Sequence, residues 1–473
     1  MTYRQDPIYR TVQWLRDTSH PTQPSSFAAR YAEVWRAWAQ LECQHVKVQV
    51  GLINYKPFER ARVVADVTFV PGRRHGSSPV RLNLLLHIFA EPDAAHREIE
   101  SRAKEDLLCC YGPPTFHFES RRLVAWTLPN APNLRELGEL LDPERFRHRF
   151  LSRLPGVGAG ACSAPGPTLV RYVPLKRALL SWHCPTGGQH YYIKLIGGPA
   201  AASAALNLRE VDAWAASGAL DLAVPKPVYY SPHLRTVVMS KVPGRSFTRI
   251  MMEGCPEPFA DVGRALASLH RLKATPMTVW SADRELGHLR RHMDGVKRAL
   301  PGLSGRLDGL VSGLEARRVA PVQDPVPIHG NLFGDQILYD SSASRRRVGI
   351  VDWDDWSLGD RHFDLGRLLA HFLYVARLAK LPDRSISVCG KALLRGYDAA
   401  GGGAVDCMTL DWHVIAALLL RAKISSLRKL RPGWPKHVEL MVTEAEHILN
   451  GGNRARPKAW PTARSRKSLE LAA

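Results

Sequence analysis

A chain of 473 residues is too long for one hydrophobic core, so two or three domains are expected. Its 45% hydrophobic and 23% charged residues are ordinary for a globular protein, and no apolar run reaches the roughly 18–20 residues of a membrane span. Lys and Arg outnumber Asp and Glu by 65 to 44, a net charge of +21, yet no segment interleaves basic and aromatic residues as a nucleic-acid surface does; an anionic small-molecule ligand accounts for the charge at least as well. Eight scattered cysteines without a C-x-x-C pair exclude a zinc ribbon or disulfide framework and read as small, mostly buried residues. The first residues, Met1-Thr2-Tyr3-Arg4, lack the apolar core of a signal peptide, and a cytoplasmic location is expected.

Residues 1–155 read as an α+β domain that repeats the pattern of the segment after it. Tyr55-Lys56-Pro57-Phe58-Glu59-Arg60-Ala61 parallels Tyr172-Val173-Pro174-Leu175-Lys176-Arg177-Ala178. A strand at 82–89, then Ala90-Glu91-Pro92 and a helix, parallels 190–196, Gly197-Gly198-Pro199 and its helix. Residues 123–129 answer 237–243. In this alignment His87 stands where the second copy has Lys194. The first copy therefore reads as a degenerate scaffold and a surface open to a protein partner, with chance likeness of generic strand–helix units as the alternative.

Residues 165–255 predict strands at 169–172, 178–183, 190–196, 228–230 and 236–239, with an Ala-rich helix from 200 to 216. From Phe259 the period turns helical, with Val262, Leu266, Leu269 and Leu272 on one face. Helices follow at 376–397 (interrupted near Pro382), 408–430 and 434–449, so residues 256–450 form a helical part. Residues 451–473 read as a basic, disordered tail. Strands first and helices after is an α+β fold of two unequal lobes.

The chemistry sits in that helical part. An apolar segment closes on His329-Gly330-Asn331; Gln336 follows, and Val348-Gly349-Ile350-Val351 leads into Asp352-Trp353-Asp354. Gly359-Asp360 and Asp364-Leu365-Gly366 come next. A loop after an apolar strand, a polar amide and a strand-end Asp are what phosphoryl transfer needs. The loop meets the acceptor hydroxyl, and the amide oxygen and the Asp hold Mg²⁺ against the phosphates. Lys194, alternating outward on 191–195, has the reach of a phosphate-binding cation.

Taken in this order, and with Leu266-Ala267-Ser268-Leu269-His270 before them, these motifs resemble the aminoglycoside phosphotransferase/choline kinase family of protein-kinase-like small-molecule kinases, over roughly residues 165–450. The resemblance implies a bilobal protein-kinase-like fold, with a β-rich N-lobe at 165–255 and a helical C-lobe at 256–450, here preceded by an extra N-lobe-like domain. It implies ATP and Mg²⁺ as cofactors and transfer of the γ-phosphoryl group to a hydroxyl of a small molecule; neither membrane nor nucleic acid is expected as partner from the hydropathy and charge pattern above. It assigns Lys194 to the α- and β-phosphates, with Glu210 as its helix partner, and backbone N–H groups of Gly187 and Gly188 to phosphate oxygens. Met239 and Lys241 belong to the hinge that reads adenine; Gln336 and Asp352 are the metal ligands, with Asp354 in support. His329 braces the loop, His270 is a structural helix-end residue, and Asp360 and Asp364 cap or brace the helix that follows.

Two positions depart from the family pattern. Gln336 replaces Asn, keeping the same oxygen one methylene further out. Asn331 replaces the Asp that accepts or orients the hydroxyl proton, and Asp335, four residues on, faces elsewhere in the family pattern. An amide takes up no proton at neutral pH, so Asn331 leaves two readings open: a phosphotransferase working by positioning and charge, or a pseudokinase that binds nucleotide or serves as a scaffold. Nothing in the sequence selects the acceptor, although Asp406 and Asp411 are available to a cationic or sugar ligand.

Overall fold

The computed structural model describes residues 2–451 apart from 18–25, 41–42, 72–77, 103–104, 106, 109–111, 131, 155–164, 185–187, 275, 277 and 344–346. Two five-stranded antiparallel sheets fill its first half. The first joins β1 (Cys43–Lys56), β2 (Arg60–Pro71), β3 (Val80–Phe89), β4 (Thr115–Phe118) and β5 (Leu123–Thr127) in the order β1-β2-β3-β5-β4. The second joins β6 (Thr168–Val173), β7 (Arg177–His183), β8 (His190–Ile196), β9 (Pro227–Ser231) and β10 (Thr236–Ser240) in the order β6-β7-β8-β10-β9. Each sheet is thus the same meander with its last two strands exchanged in space.

The match extends to single rungs. Arg62, His87 and Val124 lie abreast in the first sheet as Leu179, Lys194 and Val237 do in the second. Phe58 and Leu175, at the same place in the first hairpin, both take φ of 60°. The Ala90 amide donates to the Glu59 carbonyl at 3.0 Å as the Gly197 amide donates to that of Lys176 at 2.7 Å. One pairing differs from the sequence alignment. Leu123 pairs with Ile88 as Thr236 pairs with Leu195, so the last strand is offset by one residue.

Side chains two apart on a strand share a face. His87 therefore shares its face with Leu85, and this face packs in one apolar cluster with Leu180, Trp182, Ile193 and Leu195 of the second sheet. Lys194 points away from that cluster. The opposite face of the first sheet, with Val63, Ala65, Leu84 and Leu86, is covered by Ile8, Val12, Phe27 and Tyr31 from the helices Pro7–Arg16 and Phe27–Ala39. The face that presents Lys194 in the second sheet is, in the first, closed by apolar packing.

Beyond the helix Ala200–Ala216 and β10 the chain is mainly helical. The helices Pro256–His270 and Asp383–Ala399 touch backbone to backbone. A Cβ on Gly263 would lie 2.1 Å from the Leu393 carbonyl oxygen, and one on Gly396 2.2 Å from that of Ala260. The expected helix over 376–397 is two helices, Arg361–Leu378 and Asp383–Ala399, with Pro382 as N-cap of the second. That expected over 408–430 is Cys407–Lys423 continued by a π-turn, Ile424–Lys429, which ends at Leu430 with φ of 39°.

The α+β class, with a sheet at 168–240 followed by a mainly helical part, agrees with the sequence reading. No helix among the described residues is long and apolar enough to cross a membrane. Cys184 and Cys389 are buried but Cys255 is exposed, while Cys109-Cys110 and the basic tail lie outside the described residues.

Candidate active site

The loop from His329 to Gln336 is held by backbone contacts that explain its composition. Gly330 has φ of +81°, and a Cβ there would sit 2.1 Å from the Asp355 carbonyl oxygen, so only glycine fits. The fully buried Asp364 carboxylate accepts from the His329 amide at 2.7 Å and from the Gly330 amide at 3.2 Å. Burial alone would raise that carboxyl, but the His270 ring at 3.5 Å and these bonds hold it below its ordinary value. The His329 ring is buried and its Nε2 lies 3.1 Å from the Val351 carbonyl oxygen, a bracing geometry. His270 also meets the Tyr397 hydroxyl at 2.8 Å. Further on, the Gly334 amide donates to Nδ1 of buried His371 at 2.8 Å.

Asp352 stands between the lobes in a left-handed backbone conformation, φ 72° and ψ 56°, that costs a non-glycine residue on the order of 1 kcal/mol. Its carboxylate accepts from Lys194 Nζ at 2.5 Å, while Asp354 accepts from the same nitrogen at 2.6 Å. Arg177 reaches both, at 3.4 Å and 3.2 Å. Burial opposes the Asp352 charge, but Lys194 and Arg177 outweigh it and hold the carboxyl far below its ordinary range. Leu208, Val237 and Met239 line the same narrow cleft as Lys194 and Asp352.

The structure thus brings Lys194, Met239, Gln336, Asp352 and Asp354 together and sets the loop of His329 and Asn331 beside them. Other assignments are corrected. Glu210 does not pair with Lys194; it accepts from the Trp356 indole at 3.1 Å, because the lysine is already held by two aspartates. Gly188 precedes Lys194 by six residues of extended chain, about 20 Å away, and its N–H closes its own turn on the Cys184 carbonyl at 3.1 Å. Gly187 lies outside the described residues. The hairpin turn that does approach Lys194 is the one between β6 and β7, which carries Arg177.

In the hinge, the Lys241 amide donates to the His190 carbonyl at 3.1 Å and the Ser240 amide to that of Lys226 at 2.9 Å, so neither is free for a ligand edge. Gln336 turns its nitrogen towards Asp352 at 3.4 Å, while its oxygen accepts from the Phe333 amide at 3.2 Å. Asp406 is the N-cap of the helix Cys407–Lys423, accepting from the Thr409 amide at 2.7 Å, and is not a free ligand for a cation. Asp360 likewise caps the helix Arg361–Leu378.

The Asn331 amide is a neighbour of the Asp355 carboxyl and favours its charged form. Desolvation and the nearby charge of Asp354 raise that carboxyl above its ordinary value. Sequence reading missed Asp355 and Arg177. Both flank motif residues, but their contacts come from loops far apart in the chain.

Residues 178–400 match the family model described as the phosphotransferase enzyme family. Among solved structures, a spectinomycin phosphotransferase in complex with ADP and spectinomycin is similar at 15% identity, covering 60% of this chain and 93% of that one, with a TM-score of 0.45. A choline/ethanolamine kinase family protein from Mesorhizobium loti is similar at 18% identity, 65% and 95% coverage, TM-score 0.43. An aminoglycoside phosphotransferase from Streptomyces rimosus is similar at 18% identity, 59% and 94% coverage, TM-score 0.39. No curated protein matches the chain.

Proposed function

We propose, from the match of residues 178–400 to the phosphotransferase enzyme family and from the geometry around Asp352, that this chain transfers the γ-phosphoryl group of ATP to a hydroxyl of a small molecule. The observation that carries the reading is the convergence of Lys194 and Arg177 on Asp352 and Asp354 beside the loop of Asn331.

The donor set suits Mg²⁺. Two carboxylates stand side by side, and two protein cations already neutralise them where a divalent ion would. No group of three or more His, Cys, Asp or Glu side chains forms a metal site among the described residues. A hard cation here would rest on Asp352, Asp354 and phosphate oxygens, with the Gln336 oxygen joining once its amide turns over. Bound there, Mg²⁺ would draw charge off the phosphoryl group being transferred.

Lys194, released from the aspartates, binds the α- and β-phosphates, and Met239 covers the base. Asn331 accepts a hydrogen bond from the acceptor hydroxyl through its amide oxygen and so orients it. The acceptor oxygen bonds to the γ-phosphorus as the bridging P–O bond breaks; ADP leaves, and the hydroxyl proton passes to water. Residues 1–155, whose sheet repeats the ladder of the second, are read as a degenerate N-lobe that buttresses 165–255.

A second reading, nucleotide binding without transfer, is favoured by one observation: residue 331 is Asn, whose amide takes up no proton at neutral pH. Calorimetry of ATP with and without Mg²⁺ tests the proposal, with Lys194→Ala and Asp352→Ala as partners. Micromolar, Mg-dependent binding lost in both variants is expected. Absence of nucleotide binding in the wild type, or Mg-dependent affinity unchanged in Asp352→Ala, would sink it.

A further inference from the structure

Basic residues gather at a cavity beside the loop. A cavity of about 200 Å³ is lined by Asp335, His371, Tyr374, Arg421, Lys429 and Arg431 among others. Arg421 lays its guanidinium 4.4 Å from the centroid of Phe333, two residues after Asn331. Arg428, on the same π-turn as Lys429, has Arg177 and Arg171 as its charged neighbours, and Arg177 is the residue that meets Asp354 at 3.2 Å. The basic wall therefore runs from this cavity to the carboxylates of the transfer site.

Little on the protein balances it. Among the described residues none of Arg171, Arg421, Arg428, Lys429 and Arg431 closes an ion pair. Asp335 is the one carboxylate among the charge neighbours of Arg421 and Lys429, and it accepts from the Thr248 hydroxyl at 2.7 Å. The neighbours that disturb Lys429 are otherwise Arg431, Arg421 and Arg171. Unpaired cations gathered in one place, Arg421 and Lys429 half-buried and Arg171, Arg428 and Arg431 exposed, repel one another and are relieved by an anion.

We infer that the acceptor is an anion, a hydroxyl compound carrying a phosphate or comparable multiply charged group that Arg421, Lys429 and Arg431 bind, and not a cationic aminoglycoside or amino alcohol. This rests on the phosphotransfer reading above. The acceptor hydroxyl then gives up its proton and takes the γ-phosphoryl group while its own anionic group stays on the basic wall. A cationic acceptor entering this cavity would be repelled by Arg421, Lys429 and Arg431, with Asp335 the one carboxylate of its lining to offset them.

Two-stage calorimetry on the full chain tests this. The protein is first loaded with Mg²⁺ and a non-hydrolysable ATP analogue, so that the γ-phosphate position is filled, then titrated with inorganic phosphate and separately with kanamycin. Phosphate binding that weakens at least tenfold in Lys429→Ala/Arg431→Ala, and is kept in the charge-conserving Lys429→Arg/Arg431→Lys, is the expected result, with no kanamycin binding. Arg431→Ala alone, at an exposed position, is measured beside them in case the pair does not fold, and is expected to weaken phosphate severalfold. Phosphate binding equal in all variants, loss of nucleotide loading together with phosphate, or kanamycin binding tighter than phosphate each overturns the inference. Failure of the wild type to load nucleotide strikes the phosphotransfer reading instead, and the phosphate titration of the empty protein still decides the anion site.

Discussion

On the phosphotransfer reading proposed above, Asn331 puts an amide where a carboxylate would take the acceptor proton. Because transfer through a loose transition state relies on positioning and charge, the expected loss is confined to the base contribution, roughly 10²–10⁴ in rate. Asn331→Asp is therefore expected to raise kcat at least about tenfold with KM for nucleotide little changed, measured by ADP release. A turnover no higher than wild type would remove position 331 from the path of the proton. The residues legible in the sequence were those whose backbone leaves one choice. Gly330 faces the Asp355 carbonyl, and Asp352 ends its strand in a left-handed turn. Glu210 was misread because a helix glutamate near a strand lysine is a statistical expectation, while Asp352 and Asp354 were closer to the Lys194 nitrogen.

The loop owes its shape to an element outside it. The first turn of the helix Arg361–Leu378 carries Asp364, which ties two consecutive loop amides and faces His270 across the core. Asp364→Ala leaves these buried donors unpaired, a cost of about 3 kcal/mol or more. The expected outcome is a lowered melting temperature and a kcat depressed far more than nucleotide affinity, since Lys194 and Asp352 are held from other elements. Equal loss of affinity and kcat would show that the helix supports the whole cleft and not the loop alone. The strands of 165–255 and the helices at 200–216 and 434–449 were legible from period and punctuation, whereas Ala282–Ala299 and Ser304–Ala316 were not identified. The split of the late helices was legible only where Pro382 marks it. The π-turn at Ile424–Lys429 gave no sign, because it continues a helical pattern with one added residue per turn.

Across the whole molecule the two sheets stack, one ladder repeated, with the back of the second filling the face on which the first would have held its own lysine. His87 Nδ1 meets the Glu98 carboxylate there at 2.8 Å. The same compactness brings the basic residues of the π-turn under the first sheet: Arg16 donates to the Lys429 carbonyl at 3.0 Å. Burial, then Arg428 and Lys176, lower the Lys423 ammonium to about 7, and burial with Arg431 lowers Lys429 to about 8. Lys423 Nζ lies 3.0 Å from Nε2 of His292, whose own value burial and Lys423 lower to about 4, so the imidazole is neutral and accepts. The sign follows from proton counting. Above pH 7 the folded chain has released a proton that the unfolded chain keeps to about pH 10, so the unfolded state binds more protons and stability rises with pH. Below pH 7 both states hold it, and the penalty is constant. The melting temperature is therefore expected to climb on the order of 1–3 °C between pH 7 and 9 in a low-salt buffer, and Lys423→Met to flatten that climb. A melting temperature that falls over this range in the wild type, or a slope unchanged by Lys423→Met, would mean that the ammonium is solvated and that the basic cluster stores no repulsion for an anion to relieve.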